Sequence, residues 1–327
     1  MRIDSYFISS TSRWRNFSFA VFFVALAGPG FTLCSGNEAV KTGEGLIRVN
    51  GTDLYFKVLG KGTPIVIVHG GPGLDHTYFL PQWNTLAKEH RLIFYDQRAS
   101  GRSASLVDTN SMTMDNFVED LEGIRKAFGI QKLNLLGHSW GGLVAMFYAL
   151  KYPENLNSLV LVNPTPASVA LRNASFSVMA QRTSSSDSVA QSALVRTEGF
   201  RMRDPATMAR FFRLLFRGLF YDPRLADSLT LTFDTSYATK SKLIQYLNKD
   251  HDLAAYDLFP RLKIIRCPTL IMGSDHDMVT PEANELLHES IPGSTLIVLK
   301  HCGHFPYVEE PGQFFAVLDS FLNKVRE

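Results

Sequence analysis

Residues Leu133-Asn-Leu-Leu-Gly-His-Ser-Trp-Gly-Gly-Leu143 are the most informative segment of the sequence. A short apolar run enters a glycine-rich turn, and helix-forming residues follow at once, so a strand, a sharp turn and a helix are predicted, with Ser139 at the apex. Gly137 and Gly141 carry no side chain where the turn forces backbone segments together, and the N–H of Trp140 lies at the helix N-terminus, where negative charge is favoured. This geometry suits a nucleophilic serine.

Strands and helices alternate on both sides of this stretch. Asn50-Gly51 separates two strand-like runs, which predicts a hairpin at the start of the sheet. Further apolar runs are typical of parallel strands buried on both faces, and they lie at 64–68, 91–96, 158–163, 268–273 and 295–300. Helices are expected at 78–89 and 115–128. The pattern predicts an α/β fold with a mostly parallel central sheet and helices on both faces.

The alternation stops between Pro164 and Pro260, and an inserted helical segment is expected there. We therefore divide the chain into a signal peptide and N-terminal segment (1–36), a first part of the α/β core (37–163), a helical cap (164–260) and a second part of the core (261–327). The polar run 183–188 predicts a mobile loop.

The clearest cap helix begins after Asp204-Pro205 and has two unlike faces. The apolar face either packs on the core or roofs a site beside Ser139, and it carries Phe212, Leu215, Phe216 and Leu219. The basic face is either solvated or meets an anionic substrate or a membrane surface, and it carries Arg210, Arg213 and Arg217.

The N-terminus has the pattern of a secretory signal. Arg13 and Arg15 precede an apolar run at 17–27, and Ala25-Leu26-Ala27 offers a small-x-small cleavage site. The run is shorter than the roughly 18 apolar residues that a membrane span needs. We expect an exported protein, secreted or periplasmic, with no stable membrane span; an N-terminal anchor and a cytoplasmic location are the alternatives.

Composition limits the classes of partner. The chain has 327 residues, of which 45% are hydrophobic and 20% charged, and its net charge is +2, which is too mild to indicate a nucleic-acid-binding protein. The three cysteines match no zinc spacing, and no disulfide is expected between Cys267 and Cys302 because the predicted strands place them at opposite ends. No metal or organic cofactor is implied, and the oligomeric state is left open.

A neutral serine hydroxyl is a poor nucleophile, so it needs a base, and the base needs a group that fixes its tautomer. After a serine in such a turn, the acid and then the histidine are expected later in the chain. The loop after the strand at 268–273 offers Asp275 and Asp277, of which Asp277 is favoured because its position four residues before Pro281 resembles the acid loop of known hydrolases. The loop after the strand at 295–300 offers His301 and His304, of which His304 is favoured because it follows Gly303.

The oxyanion that forms when a serine attacks a carbonyl needs two N–H donors. One is expected from Trp140, the residue after the nucleophile. The second is expected from the loop His69-Gly-Gly-Pro-Gly73, where we assign the N–H of Gly71.

The motifs HGGPG, DQRASGRS, GHSWGG, SDHDMVTP and GHFPYVEEP, in this order, resemble those of the α/β-hydrolase superfamily, and most closely its proline iminopeptidase-like branch. The resemblance runs from about Gly45 to the C-terminus, apart from the cap. It implies a catalytic triad of Ser139, Asp277 and His304, with Gly71 and Trp140 as oxyanion donors. The DQRASGRS loop would be structural, and its polar residues are Asp96, Gln97, Arg98 and Arg102.

The resemblance also implies cap carboxylates that hold the free amine of the substrate, because an unpaired buried ammonium is costly. The cap offers five, with Glu198 as the first candidate; the others are Asp204, Asp222, Asp227 and Asp234.

The sequence therefore predicts a serine hydrolase that acts through an acyl-enzyme on a small molecule or short peptide, in first place an aminopeptidase that releases N-terminal proline. A carboxylesterase or amidase for small acyl substrates is the alternative with the same chemistry. The alternative of another class is a hydrolase-fold binding protein without catalysis.

Overall fold

The computed structural model describes residues 43–325. The expected signal peptide and N-terminal segment (1–36) lie outside the described residues. Within residues 43–325, no helix combines the length and the apolar character needed to cross a membrane. Cys267 and Cys302 carry free thiols, the first half-buried and the second buried.

One eight-stranded sheet forms the centre of the described chain. Its strands are β1 (Gly43–Val49), β2 (Thr52–Leu59), β3 (Pro64–Val68), β4 (Arg91–Tyr95), β5 (Leu133–His138), β6 (Leu156–Val162), β7 (Thr269–Ser274) and β8 (Thr295–Leu299). They lie in the order β1-β2-β4-β3-β5-β6-β7-β8. β1 and β2 are antiparallel to their neighbours, and all pairs from β4 to β8 are parallel. This confirms the mostly parallel sheet.

The opening hairpin forms for the expected reason. Asn50 and Gly51 have φ values of 42° and 76°, the positive values that a tight two-residue turn requires and that asparagine and glycine tolerate. The central strands β3, β4 and β5 are buried along nearly their whole length, which explains why their sequences are continuously apolar.

Twelve α-helices cover the described part of the chain. They are α1 (Met114–Ala127), α2 (Trp140–Lys151), α3 (Val169–Arg182), α4 (Ser185–Leu194), α5 (Glu198–Met202), α6 (Pro205–Phe216), α7 (Tyr237–Ile244), α8 (His251–Ala254), α9 (Phe259–Leu262), α10 (Pro281–Ser290), α11 (Pro306–Glu309) and α12 (Pro311–Lys324). Helices α1 and α2 pack on one face of the sheet and α12 packs on the other.

The single helix expected at 78–89 is wrong. The segment forms three short 3₁₀ turns, at His76–Phe79, Gln82–Asn84 and Leu86–Lys88. Pro81 has no N–H to donate to a preceding carbonyl, and Leu80 before it is extended, with φ −95° and ψ 147°. The proline therefore ends the first turn and prevents one continuous helix.

The mobile loop expected at 183–188 is also wrong, because α4 begins at Ser185. Ser184 caps this helix: its hydroxyl accepts the N–H of Asp187 at 3.0 Å and donates to the Asp187 carboxylate at 2.7 Å. The first of these bonds satisfies one of the free N–H donors of the first helical turn, as an N-cap serine does. The serine-rich run is thus a helix start.

The cap (164–260) leaves the sheet after β6 and returns to it before β7. The helix expected after Asp204-Pro205 is confirmed as α6, with Asp204 accepting the N–H of Thr207 as its N-cap. The cap therefore covers the edge of the sheet where β5, β7 and β8 end.

Candidate active site

Ser139 lies at the junction of β5 and α2. Its backbone has φ 55° and ψ −122°, a conformation that side-chain-bearing residues rarely adopt. Added Cβ atoms would lie 2.4 Å from the carbonyl oxygen of Gly141 at Gly137, and 2.1 Å from that of Val68 at Gly141. The turn can close only because both positions are glycine, and it presents Ser139 to a cavity beneath the cap.

Asp277 and His304 come from two different loops and meet in the interior. Nδ1 of His304 lies 2.7 Å from Oδ1 of Asp277, and the side chains are 5% and 0% exposed. The N–H of Met278 donates to the same Oδ1 at 2.7 Å and fixes the carboxylate. A carboxylate only accepts, so Nδ1 of His304 carries the proton and Nε2 of the neutral ring is left as a base.

The two alternatives for these roles lie elsewhere. Asp275 points to the backbone of Cys302, whose N–H is 3.4 Å from its Oδ1. His301 is exposed and packs against Tyr221 with ring centroids 5.6 Å apart. Within residues 43–325, no three His, Cys, Asp or Glu residues are grouped as the ligands of a metal ion would be.

The two expected oxyanion donors line the same cavity as Ser139 and His304. Gly71 has φ 48°, and the loop turns back there through a hydrogen bond from the N–H of Leu74 to the Gly71 carbonyl at 3.0 Å. Trp140 is the first residue of α2, so its N–H has no partner within the helix. Neither N–H has a hydrogen-bond partner among residues 43–325, so both can donate to an oxygen of a bound substrate.

Tyr78 and His138 link the oxyanion loop to the loop of His304, a feature that the sequence analysis missed. Nε2 of His138 lies 2.8 Å from the carbonyl oxygen of His304, which can only accept, so Nε2 carries the proton. Nδ1 then accepts the Tyr78 hydroxyl proton at 2.8 Å, and the Tyr78 oxygen accepts the N–H of Gly70. The donor and the acceptor of each of these three hydrogen bonds are thus determined.

Burial keeps this link uncharged. It lowers the pKa of His138 well below its ordinary value, and protonation of His304 would act in the same direction. Burial also raises the pKa of Tyr78 well above its ordinary value. A neutral His138 can donate from one nitrogen and accept at the other, which the link requires.

Gln97 of the DQRASGRS loop connects the same elements from the other side. Its side-chain amide donates to the His69 carbonyl at 2.6 Å and accepts the Trp140 indole N–H at 3.0 Å. Its backbone N–H donates to Nε2 of His69, whose Nδ1 lies 3.0 Å from the Gly70 carbonyl. The loop therefore supports the oxyanion segment, and Arg98 is buried in an ion pair with Asp120 at 2.6 Å.

Glu309 joins the His304 loop to the cap. Its carboxylate accepts the N–H of Gly303 at 2.6 Å, of Tyr221 at 2.7 Å and of Asp222 at 3.1 Å. Burial raises its pKa. Beside it, the N–H of His304 donates to the carbonyl of Leu219 in the cap at 2.7 Å. The cap is thus connected to the Gly303-His304 backbone directly through Leu219 and indirectly through Glu309.

We expect Glu309→Gln to lower the free energy of unfolding by about 1–3 kcal/mol and to lower kcat, because one amide oxygen cannot accept all three N–H groups and the new NH₂ faces donors. Urea unfolding and steady-state kinetics measure the two effects. Glu310→Gln is the matched control, since within residues 43–325 the Glu310 side chain bonds only to Gln313. Equal effects of the two substitutions would contradict a specific role for Glu309.

A cavity of about 560 Å³ lies between the cap and the sheet edge. The apolar face of α6 lines this cavity, so of its two expected roles it has that of a roof over the site beside Ser139. Four residues of α6 and of the turn after α6 line the cavity: Phe212, Leu215, Phe216 and Leu219. The basic residues of α6 face away from the cavity, and Arg217 pairs with Asp187 at 3.2 Å. The cap helix therefore roofs the site with hydrocarbon.

None of the five cap carboxylates lines this cavity, and its described wall contains no carboxylate at all. Glu198, the first candidate for a substrate amine, is exposed in the first turn of α5, so that expectation is wrong. Asp204 caps α6, while Asp222 and Asp227 face the arginines Arg224 and Arg217. The wall holds one charged side chain, Arg172.

Comparison with known proteins agrees with the fold. The family model described as the alpha/beta hydrolase fold matches residues 63–311. A proline iminopeptidase of Saccharolobus solfataricus is 29% identical over 302 residues, which cover 88% of this chain and 94% of the relative. One of Heyndrickxia coagulans is 29% identical and covers 86% and 99%.

Among solved structures, a thermophilic esterase from Thermogutta terrifontis is similar, with a TM-score of 0.63, 25% identity and coverage of 87% of this chain and 99% of that one. The family model matches most of the chain, and the sheet and the Ser139 turn agree with it. The relatives named above are proline iminopeptidases. The chain belongs to the alpha/beta hydrolase fold family and is a proline iminopeptidase-like enzyme of the serine hydrolase type.

Proposed function

We propose that the chain hydrolyses ester or amide bonds through an acyl-enzyme formed on Ser139, with His304 as general base and Asp277 as the group that orients it. The observation that carries this proposal is the buried 2.7 Å contact between Asp277 and His304, whose imidazole lines the cavity that also holds Ser139. A base held in one tautomer beside a serine is the arrangement that acyl transfer requires.

In the first half of the reaction, Nε2 of His304 takes the Ser139 proton as the hydroxyl oxygen attacks the substrate carbonyl. The tetrahedral oxyanion is stabilised by the N–H groups of Gly71 and Trp140. Asp277 stabilises the imidazolium. The leaving group takes the proton from His304 as its bond to the carbonyl carbon breaks, which leaves the acyl group on Ser139.

In the second half, His304 removes a proton from water, and the resulting hydroxide attacks the acyl carbon. Collapse of the second tetrahedral intermediate returns a proton to Ser139 and releases the acid. The apolar roof of the cavity limits the access of water and strengthens the hydrogen bonds to the oxyanion.

The first candidate substrate is a short peptide with N-terminal proline. Support comes from the two relatives named proline iminopeptidase, each of which is 29% identical and is covered by the match over at least 94% of its length. The three methylene groups of the pyrrolidine ring are apolar and suit the hydrocarbon part of the cavity wall.

The second candidate is an ester of a small apolar acid. The specific observation that favours it is the cavity wall, whose described residues include no carboxylate that could pair with the free amine of an N-terminal residue. A buried ammonium group without an acidic partner is costly, whereas an uncharged acyl group is not.

One matched comparison separates the candidates. Prolyl 4-nitroanilide and cyclopentanecarbonyl 4-nitroanilide differ only in the ring nitrogen, and the 4-nitrophenyl ester of cyclopentanecarboxylic acid adds the better leaving group. We expect an aminopeptidase to have at least about tenfold higher kcat/KM for the prolyl anilide than for its carbocyclic analogue, the size of a charge-assisted contact. The opposite order, with rapid turnover of the ester, would identify the esterase.

Labelling of Ser139 by a fluorophosphonate tests the chemistry that both candidates share. Labelling that competes with substrate supports the acyl-enzyme route, and peptide mapping identifies the modified residue. Failure to label the folded protein would favour the binding protein without catalysis over both enzymes.

A further inference from the structure

Arg172 is the charged side chain of the cavity wall that the proposed reaction does not use. It lies on α3 with Phe176 and Met179, at the i, i+4, i+7 spacing that places three residues on one helix face, and all three line the cavity. Arg172 is therefore part of the surface that α3 presents to a substrate.

The guanidinium group is held in place but has no counterion among the described residues. Nη1 donates to the Leu253 carbonyl at 3.2 Å, and Cζ lies 5.3 Å from the ring centroid of Tyr256. Nε is buried and has no hydrogen-bond partner within residues 43–325. Two of the other cap arginines, Arg217 and Arg224, pair with aspartates.

An anchored guanidinium in an apolar wall is suited to one kind of ligand group. Its planar donors match a carboxylate, and its charge is worth more where hydrocarbon replaces water. The wall offers no acid to compete for it. A substrate that brings its own carboxylate would give the Arg172 guanidinium the counterion that the described residues do not supply.

We propose that Arg172 binds a carboxylate of the substrate and so selects short, anionic acyl compounds. This rests on the proposed function for the site but not on the choice between its two candidates. In a peptide with N-terminal proline, the group is the free C-terminal carboxylate of a very short chain; in an ester, it is the second carboxylate of a dicarboxylic monoester. Long or amidated peptides lack such a group within the cavity.

Two matched pairs of chromogenic substrates test the proposal and locate the carboxylate. Prolyl 4-nitroanilide is compared with its 3-carboxy-4-nitroanilide, which adds the charge to the leaving group. 4-Nitrophenyl butyrate is compared with 4-nitrophenyl hydrogen glutarate, which adds it to the acyl group. We expect a higher kcat/KM for the anionic member of at least one pair, and Arg172→Gln to reduce that preference by about tenfold or more.

The controls separate recognition from structural support. Arg210→Gln removes an exposed arginine from the cap outside the cavity and is expected to leave both ratios unchanged. Arg172→Lys is expected to retain part of the preference because the charge remains without the planar fork. An equal loss for neutral and anionic members in Arg172→Gln, or no anionic preference in either pair, would overturn the proposal.

Binding distinguishes failure of this inference from failure of the proposed function. Calorimetry with the Ser139→Ala protein measures the affinity for all four compounds without turnover. Tighter binding of an anionic member that is lost on adding Arg172→Gln supports the role of Arg172 even if the catalytic assignment is wrong. Turnover of all four compounds with equal kcat/KM supports the catalytic assignment and overturns the role of Arg172.

Discussion

Replacing Ser139 by alanine is expected to lower kcat/KM by about 10⁴- to 10⁶-fold, the range seen when the nucleophile of a triad is removed. Without the hydroxyl oxygen no acyl-enzyme can form, while the oxyanion donors Gly71 and Trp140 remain. Labelling by a fluorophosphonate is expected to disappear in the same protein. Turnover that survives in Ser139→Ala would mean that the nucleophile lies elsewhere.

The backbone of Ser139 provides a second measurement on the same position. Its φ of 55° costs about 1–3 kcal/mol for a residue with a Cβ atom, and glycine does not incur this strain. The extra freedom of glycine in the unfolded chain costs only about 0.5–1 kcal/mol. Ser139→Gly is therefore expected to be inactive yet to unfold at higher urea concentration than Ser139→Ala, a difference that measures the strain in the turn.

The strands were predictable because a strand that is buried on both faces has a continuously apolar sequence. Pro64–Val68 is the strand β3 with the same bounds, and Asn50-Gly51 forms the turn that its residue types require. The helix boundaries at Pro81 and Ser184 were less predictable. At 78–89 the periodic apolar residues indicated one helix although Pro81 interrupts it. At 183–188 the polar composition indicated a loop although Ser184 is a helix N-cap.

The candidate site could be predicted only where chain order and local spacing carry information. The order Ser139, Asp277, His304 indicated three groups at the ends of β5, β7 and β8, and the structure brings the last two into contact. The Tyr78–His138 link joins residues 60 positions apart and then reaches His304 across 166 more. No local pattern specifies such contacts, so only the folded chain reveals them.

The cap was the least predictable part, because its function depends on which way each helix face turns. The amphipathic pattern of α6 allowed its apolar face to pack on the core or to roof the site, and only the structure shows Phe212 and Phe216 in the cavity wall. Likewise, the acidic residues in the cap sequence do not indicate whether their side chains point into the cavity or into solvent. Glu198 is exposed and Arg172 lines the cavity, the reverse of what amine recognition would need.

Replacing Asp277 by asparagine is expected to lower kcat by about 10⁴-fold at neutral pH. The carboxylate is fully buried, and its Oδ1 accepts both His304 Nδ1 and the N–H of Met278, so it fixes the tautomer and offsets the charge of the imidazolium. Asparagine keeps the size of the side chain but removes the charge. Substrate binding is expected to change little, because Asp277 does not line the cavity, so the loss falls on kcat rather than on KM.

Asp275→Asn is the matched control for Asp277→Asn, because both residues belong to the loop after β7. The Asp275 carboxylate has only a 3.4 Å contact with the N–H of Cys302, and we expect kcat to stay within about threefold, corresponding to less than 1 kcal/mol. A large loss in Asp275→Asn together with a small loss in Asp277→Asn would reverse the assignment of the acid. Because the two substitutions have the same chemistry and lie two residues apart, the difference between them isolates the contact with His304 from any general effect on the loop.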